Sequence, residues 1–269
     1  MLAGVPVVWH DHYGRCELND RPVWLYRLAA RKIAGVIAVN HALLKWSRES
    51  LEVPAEHTHY VPNLVEFAVS GSIPPELPGQ PGQRIVCVAN LRPQKDHLTL
   101  LRAMSIARQY APSAHLLLIG SGDDPVYLKQ VRAEIDALGL ADVVSYLGPR
   151  EDVPAILRAS DIGVLSSCSE GLPLALLEYG RAGLAVAVTN VGQCSEVVDG
   201  GNAGILVPPA QPELLGGALI QLLTSVQRRL TLGRIFQERV ESTYDAGPII
   251  DQICNLYGEI LREAAEKAN

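Results

Sequence analysis

Long apolar runs are what this chain most plainly lacks. The longest, such as Ala114 to Ile119, fall far short of the roughly 18 residues that a membrane-spanning helix needs. No secretory leader with a basic start and an apolar centre opens the sequence. Cysteine is sparse: Cys16, Cys87, Cys168, Cys194 and Cys254 are odd in number, widely spaced and without a C-x-x-C pair. That pattern argues against a disulfide frame or a zinc site and predicts reduced thiols in a cytoplasmic protein. Nor is there a basic excess, because 23 Lys and Arg face 29 Asp and Glu for a net charge of −6. Nothing global therefore attracts nucleic acid or an anionic membrane. The chain has no G-x-S-x-G elbow, no H-E-x-x-H helix and no P-loop, so serine hydrolase, zinc protease and triphosphatase chemistry have no support. His10-Asp11-His12 has metal-ligand residue types, but no second cluster or Asp-x-Asp pair accompanies it, and no metal is expected.

What is present is an α/β pattern in which short β-branched runs alternate with amphipathic segments, the mark of a parallel sheet. A length of 269 residues suggests two domains. Strands are expected at Arg84 to Ala89, His115 to Ile119, Val143 to Leu147, Asp161 to Leu165, Leu184 to Val188 and Gly204 to Val207, giving a doubly wound, Rossmann-like domain over 84–245. Asp96 is placed to cap one helix, and Gly139 to end another in a left-handed turn. Residues 70–83 hold Pro74, Pro75, Pro78 and Pro81 with three glycines and read as the interdomain linker. Residues 1–69 show only two strands and two helices, a partial Rossmann-like domain whose edge would need a partner chain or self-association. A last helix over 246–269 carries Ile249, Ile253, Tyr257, Ile260 and Leu261 on one side.

The stretch from Ser169 to Glu178 carries the most functional information. Glu170 follows a buried strand, Pro173 suits the first turn of a helix, and Glu178 falls more than one turn into it. Two carboxylates so placed can grip two parts of one ligand, and free N–H groups at Gly171, Leu172 and Leu174 can hold an anion between them. The plainer alternative is a loop charge and a helix salt-bridge partner. Gly120-Ser121-Gly122 ends another strand as either a turn or a ligand loop; Pro125 stands where the third glycine of a dinucleotide fingerprint would fall, which weakens a nicotinamide oxidoreductase reading.

The Glu170/Glu178 stretch, with Ala185 to Gly192, Glu196-Val197-Val198, Val7 to Asp11, Val36 to Asn40, Val61-Pro62-Asn63, Val88 to Lys95 and Gly204 to Pro209, resembles the family-4 retaining glycosyltransferases of the GT-B fold. The resemblance covers nearly the whole chain, which is expected to lack the first half of the family's amino-terminal domain. It implies a hexose transferred from a nucleoside-diphosphate sugar to a glycan, lipid-linked or small acceptor, with no resident cofactor. Glu178 would then hold the ribose hydroxyls and Glu170 those of the sugar. Arg92 and Lys95, assisted by the amides from Gly171 through Leu174 around Pro173, would hold the diphosphate. Arg150 and Val153 would edge the base through their backbone, Asp152 being a helix cap as well, and His10 would face the sugar. The family usually has Arg where this chain has Asn90; Arg92, two residues on, would share its face if the chain is extended and could replace it. Arg27, Arg31 and Lys32 share a helix, as either a solvated face or a weak contact with the inner membrane surface. The alternative function is a non-catalytic donor-binding module or a subunit that needs a partner chain.

Overall fold

The computed structural model describes residues 5–12, 23–65 and 76–268. In chain order the elements are β1 (Val8–Asp11), α1 (Val23–Ala30), β2 (Gly35–Ala38), α2 (His41–Glu49), β3 (Thr58–Tyr60), β4 (Arg84–Val88), α3 (His97–Arg108), β5 (His115–Ile119), α4 (Pro125–Ala137) and β6 (Val144–Gly148). They continue with α5 (Val153–Arg158), β7 (Ile162–Leu165), α6 (Leu174–Arg181), β8 (Ala185–Thr189), α7 (Cys194–Val197), β9 (Ile205–Val207), α8 (Pro212–Thr224), α9 (Val226–Thr243) and α10 (Ala246–Ala268). They fall into two compact units, residues 1–64 with 244–269 and residues 65–243.

In the smaller unit β1, β2 and β3 form a parallel sheet in that order. Successive side chains of a strand face opposite sides, and the core divides accordingly. Trp9 and Val36 pack with Tyr26 of α1 and Trp46 of α2, while Val8, Ile37 and Val61 pack with Ile249, Ile253 and Leu256 of α10. Trp9 stacks on Tyr26 with ring centres 5.9 Å apart and meets Trp46 edge-on at 6.3 Å. The final helix is thus built into this unit, and Gln252 Nε2 donates to Tyr60 O at 3.2 Å. The third strand was not expected. It has only three residues, too few to show a period of two.

The larger unit is a six-stranded parallel sheet ordered β6-β5-β4-β7-β8-β9. The chain runs outward from β4 through β5 to β6, then returns to β7 beside β4 and runs outward the other way. The reversal point between β4 and β7 is where an open α/β sheet leaves a crevice at its strand ends. Fully buried Ile85, Leu116, Leu118, Ile162, Val164, Ala187 and Leu219 anchor the core. Its strands lie within a residue or so of the expected spans, as β4 ends at Val88 and β8 is shifted by one to Ala185–Thr189. Asp96 caps α3 by accepting from Thr99 N–H at 3.2 Å, and Gly139 turns left-handed at φ 63° after α4.

Residues 70–75 of the expected linker lie outside the described residues. Residues 76–83 are fastened by one side chain: the Arg84 guanidinium donates to the carbonyls of Leu77, Pro78 and Gly79, and to that of Ala159, at 2.8–3.1 Å. A Pro- and Gly-rich run has no ladder of its own for these carbonyls, and a five-donor fork satisfies them together.

Candidate functional site

Four loops meet at the carboxyl ends of β4, β5, β7 and β8. After β4 the chain bends at Leu91, and Arg92 is extended (φ −137°, ψ 149°) ahead of the short 3-10 turn Pro93–Lys95. Asn90 and Arg92 are exposed on either side of Leu91, which is fully buried. Asn90 Oδ1 accepts from Ser121 N–H at 2.9 Å, and Leu91 N–H donates to Ser121 O at 2.7 Å, so the β4 and β5 loops are tied together. Arg92 makes no ion pair among the described residues.

Glu170 arrives from the β7 loop. Its Oε1 lies 2.6 Å from Lys95 Nζ, with the two side chains 7% and 20% exposed, and the same oxygen accepts from Ser167 Oγ at 2.6 Å. Its Oε2 has no partner among the described residues. The loop carrying this carboxylate is held on both flanks. Ser166 Oγ donates to Lys95 O at 2.9 Å, Cys168 N–H to Gln94 O at 2.8 Å, and Thr189 Oγ1 to Ser167 O at 2.7 Å. Gly192 turns left-handed (φ 54°), and a Cβ there would lie 2.2 Å from Glu170 O, so the β8 loop packs backbone against backbone beneath the carboxylate. Cys168 sits on the rim. Burial and the neighbouring Asp96 carboxylate, 3.5 Å from its Sγ, push the thiol pKa up, which keeps it protonated and a poor nucleophile.

Pro173 occupies the cap position ahead of α6 rather than its first turn, which begins at Leu174. The amides of Gly171 and Leu174 make no hydrogen bond among the described residues, whereas Gly171 O is taken by Gln193 N–H at 2.9 Å. Leu172 is buried and Leu174 half exposed. Glu178 follows on α6, half-buried and unpaired among the described residues, and burial raises its carboxyl pKa.

The remaining expected residues stand as follows. Gly120 (φ 147°) is required by packing within the sheet, because a Cβ would lie 2.3 Å from Ala89 O; one at Gly122 would lie 2.9 Å from the Tyr146 hydroxyl. Arg150 is closed bidentately on Asp152 (2.6 and 2.7 Å). Asp152 therefore does not cap α5, as expected from its position, because a guanidinium fork outcompetes a single amide for its oxygens. Val153 opens α5. His10 belongs to the smaller unit, at the end of β1, where its Nε2 meets the Tyr257 hydroxyl at 2.6 Å and its ring stacks on His12. Burial, then the neighbouring His12, lowers its pKa. Among the described residues no three His, Cys, Asp or Glu side chains are grouped to hold a metal, and no helix is long and apolar enough to cross a membrane. Residues missed from sequence are Ser167, which shares Glu170 Oε1, and Tyr179, whose hydroxyl lies under the crevice. For Ser167 its position at a strand end beside Glu170 was a usable signal.

The larger unit thus offers one cation held against one carboxylate and, among the described residues, a second carboxylate without a partner and two open amides between them. Residues 82–225 match the family described as "Glycosyl transferases group 1". The chain belongs to that family. Every expected site residue except His10 falls inside the matched glycosyl transferases group 1 segment. The chain is 28% identical over 252 residues to an exopolysaccharide phosphotransferase of Streptomyces coelicolor, covering 90% of this chain and 26% of that protein. It is 26% identical over 277 residues to UDP-Gal:alpha-D-GlcNAc-diphosphoundecaprenol alpha-1,3-galactosyltransferase of Escherichia coli, covering 97% and 71%. Among solved structures, Anabaena HepE in complex with UDP superposes with a TM-score of 0.81 at 22% identity, covering 96% of this chain and 73% of that one. The same protein is also known in complex with UDP-glucose. The chain therefore spans from about a quarter to about three quarters of the length of these relatives, and the shared GT-B fold is what the structural likeness shows.

Proposed function

We propose that this chain is a retaining glycosyltransferase that moves a hexose from a nucleoside-diphosphate sugar to a glycan, lipid-linked or small acceptor. One observation carries the reading: Lys95 and Glu170 meet at 2.6 Å across the β4/β7 reversal point, with Glu178 unpaired among the described residues on the adjoining helix. The relatives named above, one a galactosyltransferase and one bound to UDP-glucose, support the donor class.

In this reading Lys95 and Arg92 neutralise the diphosphate, and the Gly171 and Leu174 amides add fixed dipoles. The charge that grows on the leaving diphosphate meets donors already in place, which is where most electrostatic catalysis arises. Glu170 Oε2 accepts from a sugar hydroxyl while Oε1 stays with Ser167 and Lys95, and Glu178 accepts from the ribose hydroxyls. Asn90 already serves Ser121, so Arg92 supplies the second cation. Arg150 and Val153 border the base. The diphosphate is met by cationic side chains and amides, so no metal or other cofactor is invoked.

Calorimetry with UDP, GDP and ADP, followed by transfer assays with matching donors and an acceptor panel, tests the reading. Binding of one diphosphate, abolished or weakened at least tenfold in Lys95→Met, is expected. Absence of heat with all three on folded protein would count against the donor site. Tight binding with no transfer to any acceptor would favour the donor-binding module.

A further inference from the structure

The ladder between β4 and β7 stops early. Their register pairs Ile85 with Ile162 and Val86 with Gly163 and then ends. Yet β4 remains paired with β5 out to Val88, and β7 with β8 out to Leu165. Each strand keeps its outer neighbour and parts from its inner one. The gap is filled by Tyr179 of α6, whose hydroxyl accepts from Val88 N–H at 2.7 Å and faces Val164 O at 3.4 Å. A continued ladder would have given that amide to a β7 carbonyl.

The ring is fully buried, and room for it comes from β7 itself: a Cβ on Gly163 would lie 2.4 Å from Tyr179 Cδ2. A buried aromatic with its hydroxyl bonded to the backbone of two strands is a rigid spacer. Two residues beyond the gap on β7 begins the loop of Ser167 and Glu170, while the continuation of β4 carries Asn90, Arg92 and Lys95. The residue before the spacer on α6 is Glu178.

We infer that Tyr179 is a positioning residue: its hydroxyl, set between β4 and β7, holds the mouth of the donor crevice at a fixed width and so places Lys95 against Glu170. This rests on the donor-site reading above, and it assigns to the spacer what that reading leaves open, namely the separation of the two walls. Tyr179 touches no ligand. Its effect passes through the strands.

The test is Tyr179→Phe, which keeps the ring and removes the bond. Residue-resolved hydrogen exchange should show the Val88 amide exchanging at least tenfold faster in the variant, with shifted amide resonances at Lys95 and Glu170. Affinity for the diphosphate that binds the native chain should fall about tenfold. Leu222→Ala, a core truncation between other elements, should lower the melting temperature without changing that affinity, which separates positioning from general loss of stability. Gly163→Ala pushes on the ring from the other side and should weaken binding likewise. Native-like affinity in both crevice variants would overturn the positioning role. Unchanged Val88 exchange in Tyr179→Phe would overturn the spacer even if the native chain binds well. Failure of the native chain to bind any diphosphate would instead remove the donor-site reading and the functional half of this inference with it.

Discussion

Glu178 and His97 show how single side chains carry opposite pH dependences. Glu178 has its folded pKa raised by burial, so between its ordinary value and that raised one the native state holds more protons than the unfolded chain. Stability then falls as pH rises through that window and stays lower above it. Glu178→Gln should therefore raise the neutral-pH melting temperature of the ligand-free protein. The same change should weaken nucleoside diphosphate binding by roughly 1–3 kcal/mol, the worth of charged hydrogen bonds to ribose. A variant that is both less stable and undiminished in binding would refute the assignment. His97 is buried at the start of α3 with no well-formed ring hydrogen bond among the described residues, and its pKa is lowered to about 4, first by burial and then by the Lys95 charge. Below about 6.5 the unfolded His is protonated while the native one is not. Stability should decline between pH 6.5 and about 4, by on the order of 3 kcal/mol, and urea melts of His97→Gln should show a flatter profile there. Arg92, exposed and unpaired among the described residues, should cost little stability when changed to Ala, yet its loss should weaken diphosphate binding and reduce its salt dependence.

At the scale of elements, the Lys95 turn and the Glu170 loop act as one assembly. A pair with its carboxylate side chain 7% exposed leaves a nearly buried charge when one partner goes. Glu170→Gln and Lys95→Met should each destabilise, while the double change should cost less than their sum, with a coupling of about 1–3 kcal/mol in a double-mutant cycle. Additive losses would mean the pair is not formed in solution. Most of the larger sheet was legible beforehand because parallel strands buried on both faces read as short apolar runs, and its helices carry a period and caps such as Asp96. Contacts that depend on two distant segments were not legible. Nothing local in Tyr179 announces that it ends between Val88 and Val164, 91 and 15 positions away. Likewise, nothing in Asp152 foretells that Arg150 will claim it, since cap and ion pair are equally available to an Arg-Glu-Asp run.

As a whole molecule, the chain is two units, and the residues proposed for the donor site other than His10 lie on the larger. Saturating diphosphate should accordingly slow hydrogen exchange at the ends of β4 and β7 and the start of α6, with the β2 core of the smaller unit unaffected. Protection appearing only in the smaller unit would move the binding site there. The aromatic cluster around Trp9 has an optical consequence. The chain's three tryptophans, Trp9, Trp24 and Trp46, all belong to the smaller unit, while the larger has only tyrosine and phenylalanine. Selective tryptophan excitation is therefore a fluorescent reporter of the smaller unit alone. An unfolding curve read by that emission and one read by circular dichroism, dominated by the more numerous helices of the larger unit, follow different parts of the same polypeptide.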